Sequence, residues 1–319
     1  MTAPIRVATR GSALARWQAN LVVERLAVPA ELVIVSTKGD RDRTSSIHTI
    51  GGTGVFVKEV QEAVRRGDAD IAVHSAKDLP AESAEGLLIG AVPERADVRD
   101  ALVGARLDDI PPGGAVGTGA VRRRAQLSAL RPDLTFGELR GNVPTRVERA
   151  ADFDAVVIAL AALQRLELVE VVAEVLDVDV MVPMVGQGAL AVECRTDDAR
   201  VVAALVAIDM PDAHVALTAE RAYLRTLGGG CTMPCGAFAQ VGPNGRVHLD
   251  ALLASLDGTT MLRAEADGVD AESVGIAAAR NILDDLGGTA LLAAQAPPLS
   301  RREPAAGTTV SQHETGGGR

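Results

Sequence analysis

The stretch ADIAVHSAKDLPAE, residues 69–82, decides the fold. Its first half, ADIAVHS, reads as a strand, and that strand runs directly into a polar turn carrying His74, Lys77 and Asp78. In open α/β sheets ligands bind beyond the carboxyl ends of strands, so these three side chains fall where chemistry is usually placed. An aspartate beside a lysine in a turn also describes a surface ion pair. The stretch by itself leaves both readings open.

Working outward, IRVAT near 5–9, ELVIVST at 31–37 and LLIGAV at 87–92 have the same short β-branched character and read as strands. Helical patterns lie between them. Ser12 is placed to cap one whose apolar face uses Leu14, Trp17, Leu21 and Val22. Val55, Phe56, Val60, Ala63 and Val64 stripe another that ends at Gly67. Strands joined by helices favour a mostly parallel α/β sheet. Between the strand at 31–37 and the second helix, residues 38–54 form a long aperiodic loop, KGDRDRTSSIHTIGGTG, and loops of that length are usually functional lids or disordered.

A second α/β series follows PERADVRDALV, with strands expected around Ala115–Gly117, Leu134–Glu138, Asp154–Ala159 and Val178–Val182. After Gly188 the chain is strand-like through ALAVEC and then helix-like, an order compatible with a return to the first unit. The expected organisation is therefore residues 1–95 with 189–210 as a first α/β domain, 96–188 as a second, and 211–296 as a smaller α+β domain. Residues 297–319, rich in Pro, Gly, Ser and Thr, are expected to form a disordered tail. No convincing internal repeat is visible.

With 319 residues, the chain exceeds the roughly 100–150 that one core usually serves, so two or three domains are expected. No apolar run approaches the roughly 18 residues of a membrane-spanning helix, and no signal sequence is recognisable at the start. A cytoplasmic protein is the expectation. Three cysteines give no disulfide framework. A net charge of −10 and 2% aromatic content disfavour a nucleic-acid or acidic-membrane binder. Of 32 basic residues only Lys38, Lys58 and Lys77 are lysine, so an arginine means little by type, and only its placement carries an argument.

Several arginines are placed suggestively. GTGAVRRRAQL sets Arg122 and Arg123 in the first turn of a helix, where cations oppose the helix dipole unless an anion compensates. LRGNVPTR adds Arg140 and Arg146 around another helix start, and ALAALQRLEL adds Arg165. A solvated helix face is the ordinary explanation of one such run. Repetition at several strand ends suits a ligand with several carboxylates, each held by a guanidinium. In LGGGCTMPCG, Cys231 follows three glycines and its thiol is expected to be accessible, whereas Cys194, inside ALAVEC, fits a buried thiol. No second Cys or His pair stands at zinc spacing, so no metal is expected.

IRVATRGSALARWQA, GGTGVFVKE, ADIAVHSAKDLP, GTGAVRRRAQL, LRGNVPTR, VGQGALAVEC and LGGGCTMPCG, taken in this order over about residues 5–295, resemble porphobilinogen deaminase, also called hydroxymethylbilane synthase. The resemblance implies two doubly wound, periplasmic-binding-protein-like α/β domains plus a smaller α+β C-terminal domain. It implies a transferase that deaminates four porphobilinogens and joins them into a linear tetrapyrrole, releasing ammonia, on a dipyrromethane cofactor. By motif, Cys231 is the attachment point of that cofactor and Asp78 the catalytic carboxylate. Lys77, Arg122, Arg123 and Ser12 are implied as cofactor-binding residues, and Arg10, Arg140, Arg146 and Arg165 as substrate-binding residues. Phe56 is implied to pack on a pyrrole face, with a buried staple for its helix as the alternative.

The expected partners are porphobilinogen and the growing oligopyrrole chain, with a transient hand-off to the next tetrapyrrole enzyme. A monomer is expected, with neither nucleic acid nor membrane. Thr49, Thr53, Gly119 and Ala120 depart from the family pattern, which more often has lysines at the first two positions and serines at the last two. The rival reading is a non-catalytic carboxylate-binding module of solute-binding type. Against it stand the missing signal sequence, the third domain and the glycine-loop cysteine.

Overall fold

The computed structural model describes residues 3–37, 57–230 and 232–295. The expected lid (38–54), Phe56, Cys231 and the tail (297–319) lie outside the described residues.

The first unit is built from β1 (Ile5–Arg10), α1 (Ala13–Arg25), β2 (Ala30–Val35), α2 (Lys58–Arg65), β3 (Ile71–Ser75) and β4 (Leu87–Ala91). The second contains β5 (Asp100–Gly104), β6 (Ala115–Gly117), α3 (Val121–Leu130), β7 (Thr135–Gly137), α4 (Val143–Glu148), β8 (Ala155–Ala159), α5 (Leu160–Arg165) and β9 (Val172–Leu176). The chain then returns to the first sheet with β10 (Leu190–Arg195), followed by α6 (Ala199–Leu205). Strand order is β2-β1-β3-β10-β4 in one five-stranded sheet and β7-β6-β8-β5-β9 in the other. In each, three neighbouring strands run parallel and the fourth, supplied across the seam, is antiparallel to both its neighbours. This is the doubly wound α/β architecture, present twice without a sequence repeat to announce it.

Central strands are apolar on both faces. Ile71, Ala72 and Val73 of β3 and all of β8 are buried, as expected for strands covered by helices on each side. Residues 211–295 contribute α7 (Pro211–Thr226), the antiparallel β11 (Cys235–Val241), β12 (Val247–Ala254) and β13 (Met261–Gly268), then α8 (Ala271–Arg280) and α9 (Gly288–Gln295). Pro211 opens α7 at a position where its missing N–H costs nothing. Asp270 caps α8 by accepting the N–H of Ser273 at 2.8 Å. Tyr223, fully buried, donates its hydroxyl to the Leu252 carbonyl at 2.7 Å, joining α7 to the sheet beneath it.

Four expectations need correction. The strand anticipated at Val178–Val182 lies earlier, at β9, where it pairs with β5; residues 177–181 are a turn in which the Asp177 carbonyl accepts the N–H groups of Val180 and Met181. The alternating valines of DVDV imitate a strand, but a turn needs only that carbonyl. The strand β5 itself was not anticipated, because its apolar core, ALV, is too short to separate from the segment before it. On α1 the buried residues are Gln18, Ala19 and Val22, while Trp17 is 37% exposed beneath the Arg165 guanidinium, 5.8 Å from the ring centre. His74 does not belong to the polar turn; it is buried within β3, its Nε2 3.1 Å from Glu193 on β10.

Two segments cross between the sheets, and they are stitched together. Ala96 donates its N–H to the Gly188 carbonyl at 3.2 Å, Arg95 Nε donates to the Gln187 carbonyl at 3.0 Å, and Gln187 Nε2 donates to the Val98 carbonyl at 2.7 Å. The buried Glu220 of α7 ties the C-terminal unit to this seam. It accepts two bonds from Arg95 at 2.6 and 3.1 Å, the Gly186 N–H at 2.7 Å and the Ala239 N–H at 2.9 Å. A buried carboxylate that accepts four hydrogen bonds in this way has an overdetermined position.

Candidate active site

At the end of β3 the chain turns through the 3-10 segment Ala76–Asp78, which places Lys77 and Asp78 at the carboxyl end of the sheet and at the seam. The VGQG segment explains why they sit there. Gly186 has φ +72°, and a Cβ on it would lie 2.9–3.0 Å from Ala76 and the Lys77 nitrogen. Gly188 has φ +82°, and a Cβ there would drive into the Ala96 carbonyl. Both conformations favour glycine, and both allow backbone to press on backbone. From the other side, Arg221 of α7 holds the Pro80 and Ala81 carbonyls at 2.9 and 3.1 Å, fixing the chain just beyond Asp78.

The facing side is cationic. The helix α3 begins at Ala120 with no side-chain cap, and Arg122 and Arg123 of its first turn point inward, 3% and 6% exposed. Between them lies Asp100, the first residue of β5, with no exposed surface. Its two oxygens accept Arg122 and Arg123, each at 2.7 Å, and one also accepts Gln187 Nε2 at 2.8 Å. Arg122 further donates to the Val182 carbonyl, and Arg123 to the Val157 carbonyl at 2.8 Å. The two guanidiniums hold the Asp100 carboxyl far below the usual carboxylate range despite its burial. The Arg123 Nε is buried and has no partner among the described residues.

Lys77 lies beside this cluster, its Nζ 3.5 Å from the Gln187 side-chain oxygen. Burial, then repulsion from Arg123, lower its ammonium to about 8, against the opposing pull of Asp78 and Asp100. Arg146 of α4 is lowered to about 10 by burial and by Arg123, while Asp78 opposes the shift. Lys77, Asp78, Arg123 and Arg146 thus lie near one another, beside the Asp100 carboxylate that Arg122 and Arg123 already occupy. An unsatisfied cationic surplus of this kind calls for an anionic ligand with more than one carboxylate.

The remaining expected site residues are placed as follows. Arg165 donates to the Gly188 carbonyl at 2.7 Å and lines a small cavity with Lys77, Ser75 and Gln18; burial lowers it to about 10. Ser12 caps α1, accepting the Ala15 N–H at 3.3 Å. Arg10 ends β1. Arg140 is held on its own loop by Glu138 at 2.9 Å. Cys194 is buried, and burial raises its thiol to about 11, which makes it inert. Sequence reasoning missed Asp100, Gln187, Arg95 and Glu220. Their signal was faint: a carboxylate at the head of an apolar strand, and a glutamine between two glycines.

Residues 5–203 match the family model described as "Porphobilinogen deaminase, dipyromethane cofactor binding domain", and residues 215–284 match "Porphobilinogen deaminase, C-terminal domain". A porphobilinogen deaminase of Micrococcus luteus is 44% identical, the match covering 92% of this chain and 90% of that protein. One of Brevibacillus brevis is 42% identical over 87% of this chain and 93% of its own length. One of Pelobacter propionicus is 45% identical over 83% and 88%.

Proposed function

The chain belongs to the porphobilinogen deaminase family, and from that premise we propose how its own residues divide the work. The reaction joins four porphobilinogens head to tail and releases ammonia at each addition; the rival reading as a non-catalytic binding module is set aside by the family match. Dipyrromethane, when bound, would supply the pyrrole carbon to which the first ring is joined. The residues present suit such a group, because the Nε of Arg123 is buried without a partner among the described residues and the same guanidinium acts electrostatically on both Lys77 and Arg146.

Cys231 carries the cofactor through a thioether, a thiolate being a soft nucleophile suited to a methylene electrophile. Lys77, Arg122, Arg123 and Ser12 hold cofactor carboxylates. Arg10, Arg140, Arg146 and Arg165 hold those of the substrate and chain, and Phe56 packs on a ring. Asp78 does the chemistry. As the C–N bond of the aminomethyl group breaks and ammonia departs, positive charge grows on the pyrrole ring, and a carboxylate beside that ring stabilises the transition state more than the ground state. The new C–C bond forms at a ring carbon that must then lose its proton, and Asp78 is the base within reach.

The single observation that carries this reading is the meeting of one carboxylate, Asp78, with Lys77, Arg146 and the buried Arg123 at the seam. Residues 1–95 with 189–210, 96–188 and 211–296 serve as the three domains, and the first activity to assay is hydroxymethylbilane synthesis. The enzyme works as a cytoplasmic monomer that passes its product to the next tetrapyrrole enzyme and needs neither nucleic acid, membrane nor metal. Among the described residues no single helix is long and apolar enough to cross a membrane. The deciding experiment is the intact mass of the purified protein followed by peptide mapping. A dipyrromethane adduct on Cys231 is expected, and an adduct on Cys235 overturns the assignment.

A further inference from the structure

We propose that Asp100 is a positioning residue that assembles the carboxylate-binding cluster before any ligand arrives, holding Arg122, Arg123 and Gln187 on one carboxylate and, through Gln187, setting Lys77 across the seam. The idea rests on the reading of the cluster as a carboxylate site, and it concerns a residue that the substrate need not touch.

The geometry is specific. Asp100 opens β5, an interior strand of the second sheet between β8 and β9, and its carboxyl is wholly buried. Three donors converge on it at 2.7–2.8 Å from two directions, Arg122 and Arg123 from α3 and Gln187 from the returning segment. Each arginine is also pinned by a main-chain carbonyl, Val182 for Arg122 and Val157 for Arg123. With both terminal nitrogens of Arg123 so occupied, its orientation is fixed, and the Nε is what remains unpartnered. One anion among two guanidiniums leaves the interior net positive. Without Asp100 the arginines would repel each other in a site of low dielectric. A binding surface organised in advance avoids the cost of ordering long side chains when the ligand binds.

Gln187 extends the arrangement. Its amide nitrogen donates to Asp100 and to the Val98 carbonyl, while its oxygen faces Lys77 Nζ at 3.5 Å. The charged groups around Lys77 are Arg123 of α3, Arg146 of α4, Asp100 of β5 and Asp78 of its own turn, with Arg165 of α5 on the same cavity. Arg123 and Arg146 push its proton off, and Asp78 and Asp100 hold it on. Loss of the Asp100 charge should therefore lower the Lys77 midpoint below its present value of about 8.

Only three lysines occur in the chain, so Lys77 can be followed alone. The test compares the wild-type protein as purified with Asp100→Asn, which keeps size and shape but removes the charge. Competitive labelling with acetic anhydride across pH, read by peptide mass, gives the Lys77 midpoint. The same samples give the adduct-bearing fraction by intact mass, and kcat and KM per adduct-bearing molecule. The expected result is a Lys77 midpoint lower by about one pH unit, a smaller adduct-bearing fraction, and KM for porphobilinogen raised roughly 10-fold with kcat changed less than about threefold. Wild-type KM together with a wild-type Lys77 midpoint overturns the proposal.

Should Asp100→Asn fail to fold, Gln187→Met decides. A lowered Lys77 midpoint and a raised KM support the proposal, and both unchanged overturn it. A wild-type protein with no dipyrromethane adduct would instead defeat the reading of the site, while the labelling would still report whether Asp100 holds Lys77 in its charged form.

Discussion

The order β2-β1-β3-β10-β4 in the first sheet and β7-β6-β8-β5-β9 in the second is one layout used twice, yet the helices that follow the equivalent strands β1 and β6 begin differently. After β1, Ser12 caps α1 with its hydroxyl, as surface helices commonly begin. After β6, α3 starts at Ala120 without a side-chain cap and turns Arg122 and Arg123 into the protein. A second contrast lies at the strands leading to the seam. β3 delivers Asp78 to the seam, where the residue is half-buried, whereas β5 keeps Asp100 wholly buried between two arginines. The same scaffold thus presents a half-buried aspartate on one side and a cationic cradle on the other. What differs is how much of each carboxylate is already used by the protein.

If the cradle only positions and the C-terminal unit supplies the covalent hold, removing that hold should have the largest effect. Cys231→Ser is expected to yield protein at the bare sequence mass with no measurable turnover, while Cys194→Ser and Cys235→Ser keep the adduct. Cys194 and Cys235 are both buried, which makes them poor nucleophiles. Residual turnover in Cys231→Ser would mean that the arginines retain a primer unaided, and the division between the two sheets would have to be redrawn.

Asp78→Asn comes next. Asparagine keeps the size and one acceptor but loses the charge and the capacity to move a proton, so kcat should fall at least about 100-fold while KM changes little. The contrasting variant lies in the second unit. Arg146 is held partly out of water and its charge is disfavoured by Arg123 until a carboxylate arrives. Arg146→Leu should raise KM for porphobilinogen roughly 10-fold and leave kcat closer to wild type, the signature of lost anchoring rather than lost chemistry. Steady-state kinetics on adduct-bearing enzyme separate the two. Equal effects on kcat from both variants would erase the distinction between the Asp78 side and the cradle.

The sequence made one side of this comparison far more legible than the other. Strands such as β3 and β8 are buried on both faces and so appear as continuous apolar runs, and Ser12 and Gly67 mark helix ends by ordinary capping and turn chemistry. Lys77, Asp78 and the arginines declared themselves by lying at strand ends. Asp100 and Gln187 did not, because their importance comes from partners 22, 23 and 87 positions away along the chain. His74 misled for the same reason: its polarity suggested a turn, but Glu193, reached only when β10 returns to the sheet, lies against it inside the fold. Long-range pairing of polar groups leaves no periodic trace in a sequence, whereas burial of apolar faces does.

The smallest expected effect tests the helix starts themselves. Ala120 is the capping residue of α3, with extended backbone at φ −101° and ψ 114°, the conformation from which a serine hydroxyl reaches the N–H two or three residues on. The change Ala120→Ser adds one oxygen to a Cβ that is already accommodated, and that oxygen can accept the Arg123 N–H. A capping bond of this type contributes about 1 kcal/mol, which should raise the melting temperature by about 2–4 °C. Ser12→Ala should cost a similar amount at α1, where the bond to Ala15 already exists. The pair therefore forms a matched test, one cap gained in the second unit and one lost in the first. If Ala120→Ser leaves the melting temperature unchanged while Ser12→Ala lowers it, the backbone at the start of α3 has no need of a cap. The inward turn of Arg122 and Arg123 would then be sustained by Asp100 and the Val157 and Val182 carbonyls alone.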